Sequence, residues 1–167
     1  KEYRRQRQMC IRDRWYTPVT GIWQTVWLEP VSPTHIAGLR TKPDVDSNSI
    51  TVTVDAPEAT ASSLVEVKVK DGDKVVATGK SVNNRPVTIT MPADVKLWSP
   101  ETPAIYDMEV TLYDAGRRQV DRVESYTAMR KITTAPDENG VMRLCLNDKP
   151  LFQFGPLDQG WWPDGLY

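Results

Sequence analysis

Three runs between Ile50 and Leu112 alternate apolar and polar side chains residue by residue. Ile50, Val52 and Val54 alternate with Thr51, Thr53 and Asp55. Val65, Val67 and Val69 alternate with Glu66, Lys68 and Lys70, and Tyr106, Met108, Val110 and Leu112 with Asp107, Glu109 and Thr111. A period of two places each apolar set on one side of a pleated strand, because successive Cβ atoms point to opposite faces. Val87 with Ile89 repeats the pattern over a shorter run; Val75–Ala77, Val120 with Val123, and Met129–Ile132 read as further short strands. Asp71-Gly72-Asp73 and Asp114-Ala115-Gly116 supply turn residues between them. About seven short strands in about 100 residues, each apolar on one face, predict an antiparallel immunoglobulin-like β-sandwich. No stretch sustains a 3.6 period, so the expected class is all-β. The 13 prolines, above the average usage of about 5%, favour edges and turns over long helices.

On either side of this block the pattern changes. Residues 1–14 are rich in Arg, and are expected to be a disordered or non-native leader rather than a nucleic-acid arm. Trp15 to Val31 carries Trp23, Val26 and Trp27 in a β-rich run ended by Pro30 and Pro33. One such strand cannot fold alone, so it is expected to belong to a larger sheet. Thr134–Gly140 is polar and turn-rich. Val141–Leu144 and Asn147–Pro150 read as a hairpin with its turn, and Leu151–Gly155 as a short, mostly apolar strand of the kind found in a parallel barrel core.

Charge and motifs exclude several function classes. The 22 acidic and 21 basic side chains leave a net charge of -1, which gives no global field for nucleic acid or an anionic membrane. No apolar run approaches the roughly 20 residues that span a bilayer. Cys10 and Cys145 stand in no metal-ligand spacing and read as thiols without a role; a disulfide between them is not demanded, so the compartment stays open. Asp44, Asp46 and Asp55 lack the glycine and terminal glutamate of a calcium loop. His35 is the lone histidine and has no nucleophile or acid patterned around it. No phosphate-binding glycine loop is present, so neither a cofactor nor a metal is expected. Trp98 and Tyr106 read as packing anchors of the sandwich.

Three separated segments together resemble family 2 of the glycoside hydrolases, the group of β-galactosidases, β-glucuronidases and β-mannosidases, in its bacterial form. Thr20–Glu29 is similar to the last strand of the family's sugar-binding jelly roll, Leu97-Trp98-Ser99-Pro100-Glu101-Thr102-Pro103-Ala104-Ile105-Tyr106 to the signature of its immunoglobulin-like domain, and Leu146–Gly155 to the start of its catalytic barrel. The resemblance implies four segments: the leader 1–14, a terminal jelly-roll strand in 15–32, the sandwich in 33–135, and a linker with the first strand of a (β/α)8 barrel in 136–167. It implies that the chain is the accessory part of a retaining glycosidase acting on O-glycosidic bonds in carbohydrates. Such enzymes use two carboxyl groups about 5–5.5 Å apart, and the resemblance puts both on barrel strands beyond Tyr167, leaving this chain inactive alone and dependent on jelly-roll and barrel domains in cis.

The segment after Phe154, Asp158-Gln159-Gly160-Trp161-Trp162, lacks the His- and Glu-containing loop of many members, so no particular sugar carries over. It falls at a barrel strand's C-terminal end, where active sites form. Asp158 is a candidate to accept hydrogen bonds from sugar hydroxyls, and Trp161 and Trp162 to face a pyranose ring. Equally, the tryptophans can pack against barrel helices while Asp158 caps a turn. The rival reading of the whole chain is a standalone immunoglobulin- or fibronectin-like module that binds carbohydrate or protein; the segment 146–165 would be an odd tail on it.

Overall fold

The computed structural model describes residues 25–156, apart from residue 84. The chain divides into two units, Lys1–Glu29 with Phe154–Tyr167, and Pro30–Gln153. In the first, the described residues 25–29 and 154–156 carry no strand or helix. The second holds ten strands among the described residues: β1 (Gly38–Asp44), β2 (Ser49–Asp55), β3 (Leu64–Asp71), β4 (Lys74–Val82), β5 (Val87–Thr90), β6 (Tyr106–Tyr113), β7 (Gln119–Thr127), β8 (Ile132–Pro136), β9 (Met142–Leu146) and β10 (Lys149–Pro150).

The first seven strands form an immunoglobulin-like sandwich. One sheet has the order β1-β2-β5 and the other β4-β3-β6-β7, with every pairing antiparallel. The fourth strand therefore lies beside the third rather than beside the fifth. The two-residue loop Gly72-Asp73 explains this: Gly72 at φ 60 supplies the left-handed residue that a tight hairpin needs, and Asp71 pairs directly with Lys74. The alternation read from the sequence fixes which side chains face inward. Ile50, Val52, Val67, Val69, Ile89, Met108, Val110 and Leu112 are all fully buried in one cluster drawn from both sheets. Each buried aliphatic side chain of this kind contributes about 1.5–3 kcal/mol relative to exposure.

At one edge the sheets are fastened to each other. Asp121 on β7 accepts a hydrogen bond of 2.7 Å from the Ile36 backbone N–H, just before β1. At another the sheets come close: a Cβ added to Gly79 on β4 would stand 2.6 Å from Ile89 and 2.7 Å from Val87 on β5.

Several expectations need correction or completion. β1 is a strand that the alternation does not announce, because it is a sheet edge with Arg40, Thr41 and Lys42 exposed and Pro43 near its end. Met129–Ile132 is not the closing strand. Met129 is fully buried and makes a single parallel bridge with Leu97, and the chain then leaves the sandwich at β8. β8, β9 and β10 form a separate three-stranded sheet. Its hairpin is where the sequence places one, with Asn147 and Asp148 at φ 50 and 65 forming the left-handed pair of a two-residue turn. Residues 151–156 carry no strand, although Leu151 N–H donates to the Leu144 carbonyl at 2.9 Å and prolongs the pairing by one bond. Residues 25–32 also carry none, and 15–24 lie outside the described residues.

Candidate functional site

The loop between β5 and β6 is built from its own polar groups. Ser99 Oγ accepts from the Thr102 N–H at 3.1 Å, and the Ser99 N–H donates to the Thr102 carbonyl at 3.1 Å. Upstream, the Tyr106 hydroxyl accepts from the Lys96 N–H at 2.7 Å, so the buried ring of Tyr106 anchors the strand end and its oxygen ties down the loop. Trp98 N–H donates to the Met129 carbonyl at 2.8 Å, and the Arg130 guanidinium lies 4.9 Å above the Trp98 ring.

The hairpin turn between β9 and β10 reaches this loop through one side chain. Asn147 Nδ2 donates to the Trp98 carbonyl at 3.0 Å, and Asn147 Oδ1 accepts from the Lys131 N–H at 3.0 Å. The Asn147 N–H donates to the Lys131 carbonyl at 2.8 Å. A side-chain amide carries a donor and an acceptor and so satisfies a carbonyl and an N–H together, and an asparagine tolerates the left-handed backbone of the turn. Lys131 Nζ then pairs with Asp46 in the β1–β2 loop at 2.8 Å and with Asp148 at 2.9 Å. Asp46, and after it Asp148, raise the Lys131 ammonium above its ordinary pKa. Sandwich and hairpin thus meet at Trp98, Lys131 and Asn147. Beside them a cleft of about 450 Å³ is lined by Leu97, Ser99, Glu101, Thr102, Asn147 and Leu151.

The hairpin sheet has one apolar face. Register places Ile132 opposite Leu146, Thr134 opposite Leu144 and Pro136 opposite Met142. Ile132, Met142 and Leu144 are exposed on that side, and Leu151 and Phe152 come after them in sequence, also exposed. The opposite face holds Cys145, a free and buried thiol.

The outer face of the four-stranded sheet carries the most strongly perturbed group. Glu109 accepts from Lys68 at 3.1 Å and Lys70 at 3.0 Å, and Arg122 lies 2.9 Å away. The hydrogen bonds from Lys70 and Lys68 hold its carboxyl at about 2. Glu66 is lowered by Lys80, at 2.8 Å, and also accepts from the Tyr113 hydroxyl at 3.0 Å. The neighbouring cations favour the ionised form of both carboxyls, which does not equip Glu66 or Glu109 as a proton donor near neutrality.

The remaining sequence candidates separate clearly. Asp158, Trp161 and Trp162 lie outside the described residues. His35 is half-buried, with Nδ1 2.9 Å from the Ser32 carbonyl. Asp44 accepts from the Ser47 N–H at 3.0 Å to cap a turn, and Asp46 is taken up by Lys131. Among the described residues no three His, Cys, Asp or Glu side chains gather closely enough to hold a metal ion. No helix among them is long and apolar enough to cross a membrane. In the sequence Asn147 stands out only as part of the hairpin turn, and nothing distinguishes Lys131 or Arg130. The available signal is Asn-Asp between two short β-runs, which marks a left-handed turn and hence an amide with free hydrogen-bonding groups.

The family described as glycosyl hydrolases family 2 matches residues 34–130. Among solved structures, the β-D-glucuronidase of Dictyoglomus thermophilum is similar over 74% of this chain and 19% of its own, at 20% identity and a TM-score of 0.55. The β-glucuronidase of Ruminococcus gnavus, solved with D-glucuronic acid, is similar over 74% of this chain and 20% of its own, at 15% identity and a TM-score of 0.56. This chain therefore spans about a fifth of the length of these enzymes. No curated protein sequence matches the chain.

Proposed function

Because the chain belongs to glycosyl hydrolase family 2, we propose that it is the accessory portion of a retaining glycosidase, in which the sandwich is a rigid spacer between a sugar-binding jelly roll and a catalytic barrel. In this reading residues 15–32 close the jelly roll, 33–135 are the spacer, and 136–167 are the linker and the first stretch of the barrel. Residues 1–14 precede the functional part. The observation that carries the reading is the Asn147 junction. Asn147 ties the hairpin that leads toward the barrel to the Trp98 loop of the sandwich through one hydrogen bond of 3.0 Å, and to the Lys131 backbone through two more of 2.8 and 3.0 Å.

The exposed apolar face of Ile132, Met142 and Leu144 supports the same assignment. A sheet face of this kind marks a contact surface, and in the intact enzyme its occupant is the barrel. The catalytic acid/base and nucleophile come from barrel strands outside this chain. Asp158, Trp161 and Trp162 belong to the loop after the first barrel strand, where strand-end loops meet substrate. The likeness to enzymes acting on glucuronides makes a uronic acid glycoside the first substrate to try.

The test is an assay of this chain and of the intact enzyme against aryl β-glycosides, aryl β-glucuronide included. Hydrolysis by the intact enzyme and none by this chain is the expected result. Turnover by this chain alone, or an intact protein inert on every glycoside, would overturn the reading.

A further inference from the structure

The sandwich carries a second feature that its spacer role does not use. A cleft of about 330 Å³ opens between the end of β7 and the β5–β6 loop, lined by Thr41, Pro43, Trp98, Ile105, Tyr126 and Arg130. The volume falls at the lower end of the range for small-molecule sites. Tyr126 is 69% exposed, an unusual setting for a ring that size at a strand end, and Ile105 beside it is 52% exposed. Arg130 is held by the Trp98 ring, and Trp98 is itself fixed through both of its backbone groups, to Met129 and to Asn147. Among the described residues Arg130 enters no ion pair, as is also true of Arg40, Lys42, Lys74, Arg85, Arg117 and Lys149. The result is an exposed planar cation stacked on Trp98, with Tyr126 lining the same cleft.

We infer that this cleft binds an acidic pyranose unit of a glycan, with the sugar's C–H face on Tyr126 and its carboxylate on Arg130. The chemistry is specific on both counts. A guanidinium presents paired N–H donors that match a carboxylate in two parallel hydrogen bonds. A tyrosine ring offers flat apolar area with a polar tip, which suits a pyranose whose one face is C–H and whose rim is hydroxyl. Thr41 also lines the cleft. Such a site would hold a polymeric or branched substrate near the enzyme without taking part in bond cleavage. The inference rests on the reading that the intact protein acts on carbohydrate.

Amide chemical shifts of this chain, followed during titration with D-glucuronic acid, with D-glucose and with inorganic sulfate in parallel, test it without any catalysis. Glucuronic acid is expected to move the amides around Thr41, Ile105 and Tyr126–Arg130, and glucose to move them more weakly. Arg130→Gln is expected to weaken glucuronic acid at least tenfold and leave glucose unchanged; Tyr126→Ala is expected to weaken both. Arg130→Lys, which keeps the charge and loses the planar fork, should fall near Arg130→Gln. Sulfate binding as tightly as glucuronic acid, shifts scattered over the surface, or no shifts at all would overturn the site. Because the readout is binding to this chain, it can fail while the intact enzyme still hydrolyses glycosides, so the two readings fall separately.

Discussion

Asn147 Nδ2 and the Trp98 carbonyl, 49 residues apart in sequence, meet at 3.0 Å. That bond, with the Lys131 N–H held on the same side chain, fixes the direction in which the chain leaves the sandwich. Asn147→Ala leaves a carbonyl and an N–H without partners in a half-buried place, and should cost about 2 kcal/mol. The turn at φ 50 adds a second cost, because alanine resists the left-handed region by about 1–2 kcal/mol. Asn147→Gly should therefore be the milder variant by about 1 kcal/mol. Urea unfolding of the three proteins measures both terms; equal stability of Asn147→Ala and the parent would remove the junction from the argument.

Val67 is fully buried at the centre of β3, between β4 and β6. Val67→Asp places an unpaired carboxylate among valines and should cost about 4 kcal/mol or more. Circular dichroism should show loss of the cooperative fold. A folded variant of parental stability would mean the side chain faces solvent, contrary to the register.

Gly79→Ala distinguishes intrinsic strand preference from packing. A glycine inside a strand is ordinarily a weak point, and alanine would help by about 0.5–1 kcal/mol. Here the new methyl would meet Ile89 and Val87 of the other sheet at 2.6 and 2.7 Å. Overpacking of this sort costs about 1–3 kcal/mol, so destabilisation is the expected sign in thermal or urea unfolding.

Glu109 makes stability depend on acid in a defined window. Its carboxyl falls from an ordinary 4.5 to about 2 in the folded protein, through the hydrogen bonds from Lys70 and Lys68. A depressed carboxyl contributes stability that is complete above its unfolded value and is lost as the pH falls through the folded one. The parent should lose stability progressively from pH about 4.5 to about 2. Glu109→Gln should start lower at neutral pH and show a shallower slope over that window. Parallel pH profiles for the two proteins would show that the Lys68, Lys70 and Arg122 cluster adds nothing.

How much of the fold is legible in the sequence depends on what each strand faces. β2, β3 and β6 announce themselves because one face of each is buried and the other is polar, and Val52, Val67 and Val110 are buried as the alternation requires. β1 is hidden because an edge strand with Arg40, Thr41 and Lys42 exposed needs no apolar period; its pairing with β2 alone defines it. Met129 misleads because a buried residue in a single bridge looks, in sequence, like part of a strand. The turn between β6 and β7 shows the same limit. The sequence offers Gly116 for a left-handed position, but Arg117 takes it at φ 66, with the Asp114 carboxylate accepting the Arg118 N–H at 2.9 Å. Of the junction, the segments around Trp98 and Asn147 are visible as resemblances, but that they touch is a tertiary fact. The stacking of Arg130 on Trp98 has no signature in composition or spacing at all.

The apolar face of the hairpin sheet gives the last prediction, because its sign depends on what covers it. Leu144 projects from the middle of β9 beside Met142 and opposite Thr134, and is half exposed in this chain. Leu144→Lys should change the stability of this chain by no more than about 0.5 kcal/mol, the usual range for a surface position. In the intact enzyme the same substitution would force an ammonium against the barrel that the face is proposed to support. A buried unpaired charge is costly, so the melting temperature and the glycosidase activity should fall together there, while Leu144→Met, which keeps the volume, leaves both near the parent. A loss seen only in the intact protein identifies the face as the seat of the barrel. An intact enzyme indifferent to Leu144→Lys would show that the barrel rests elsewhere.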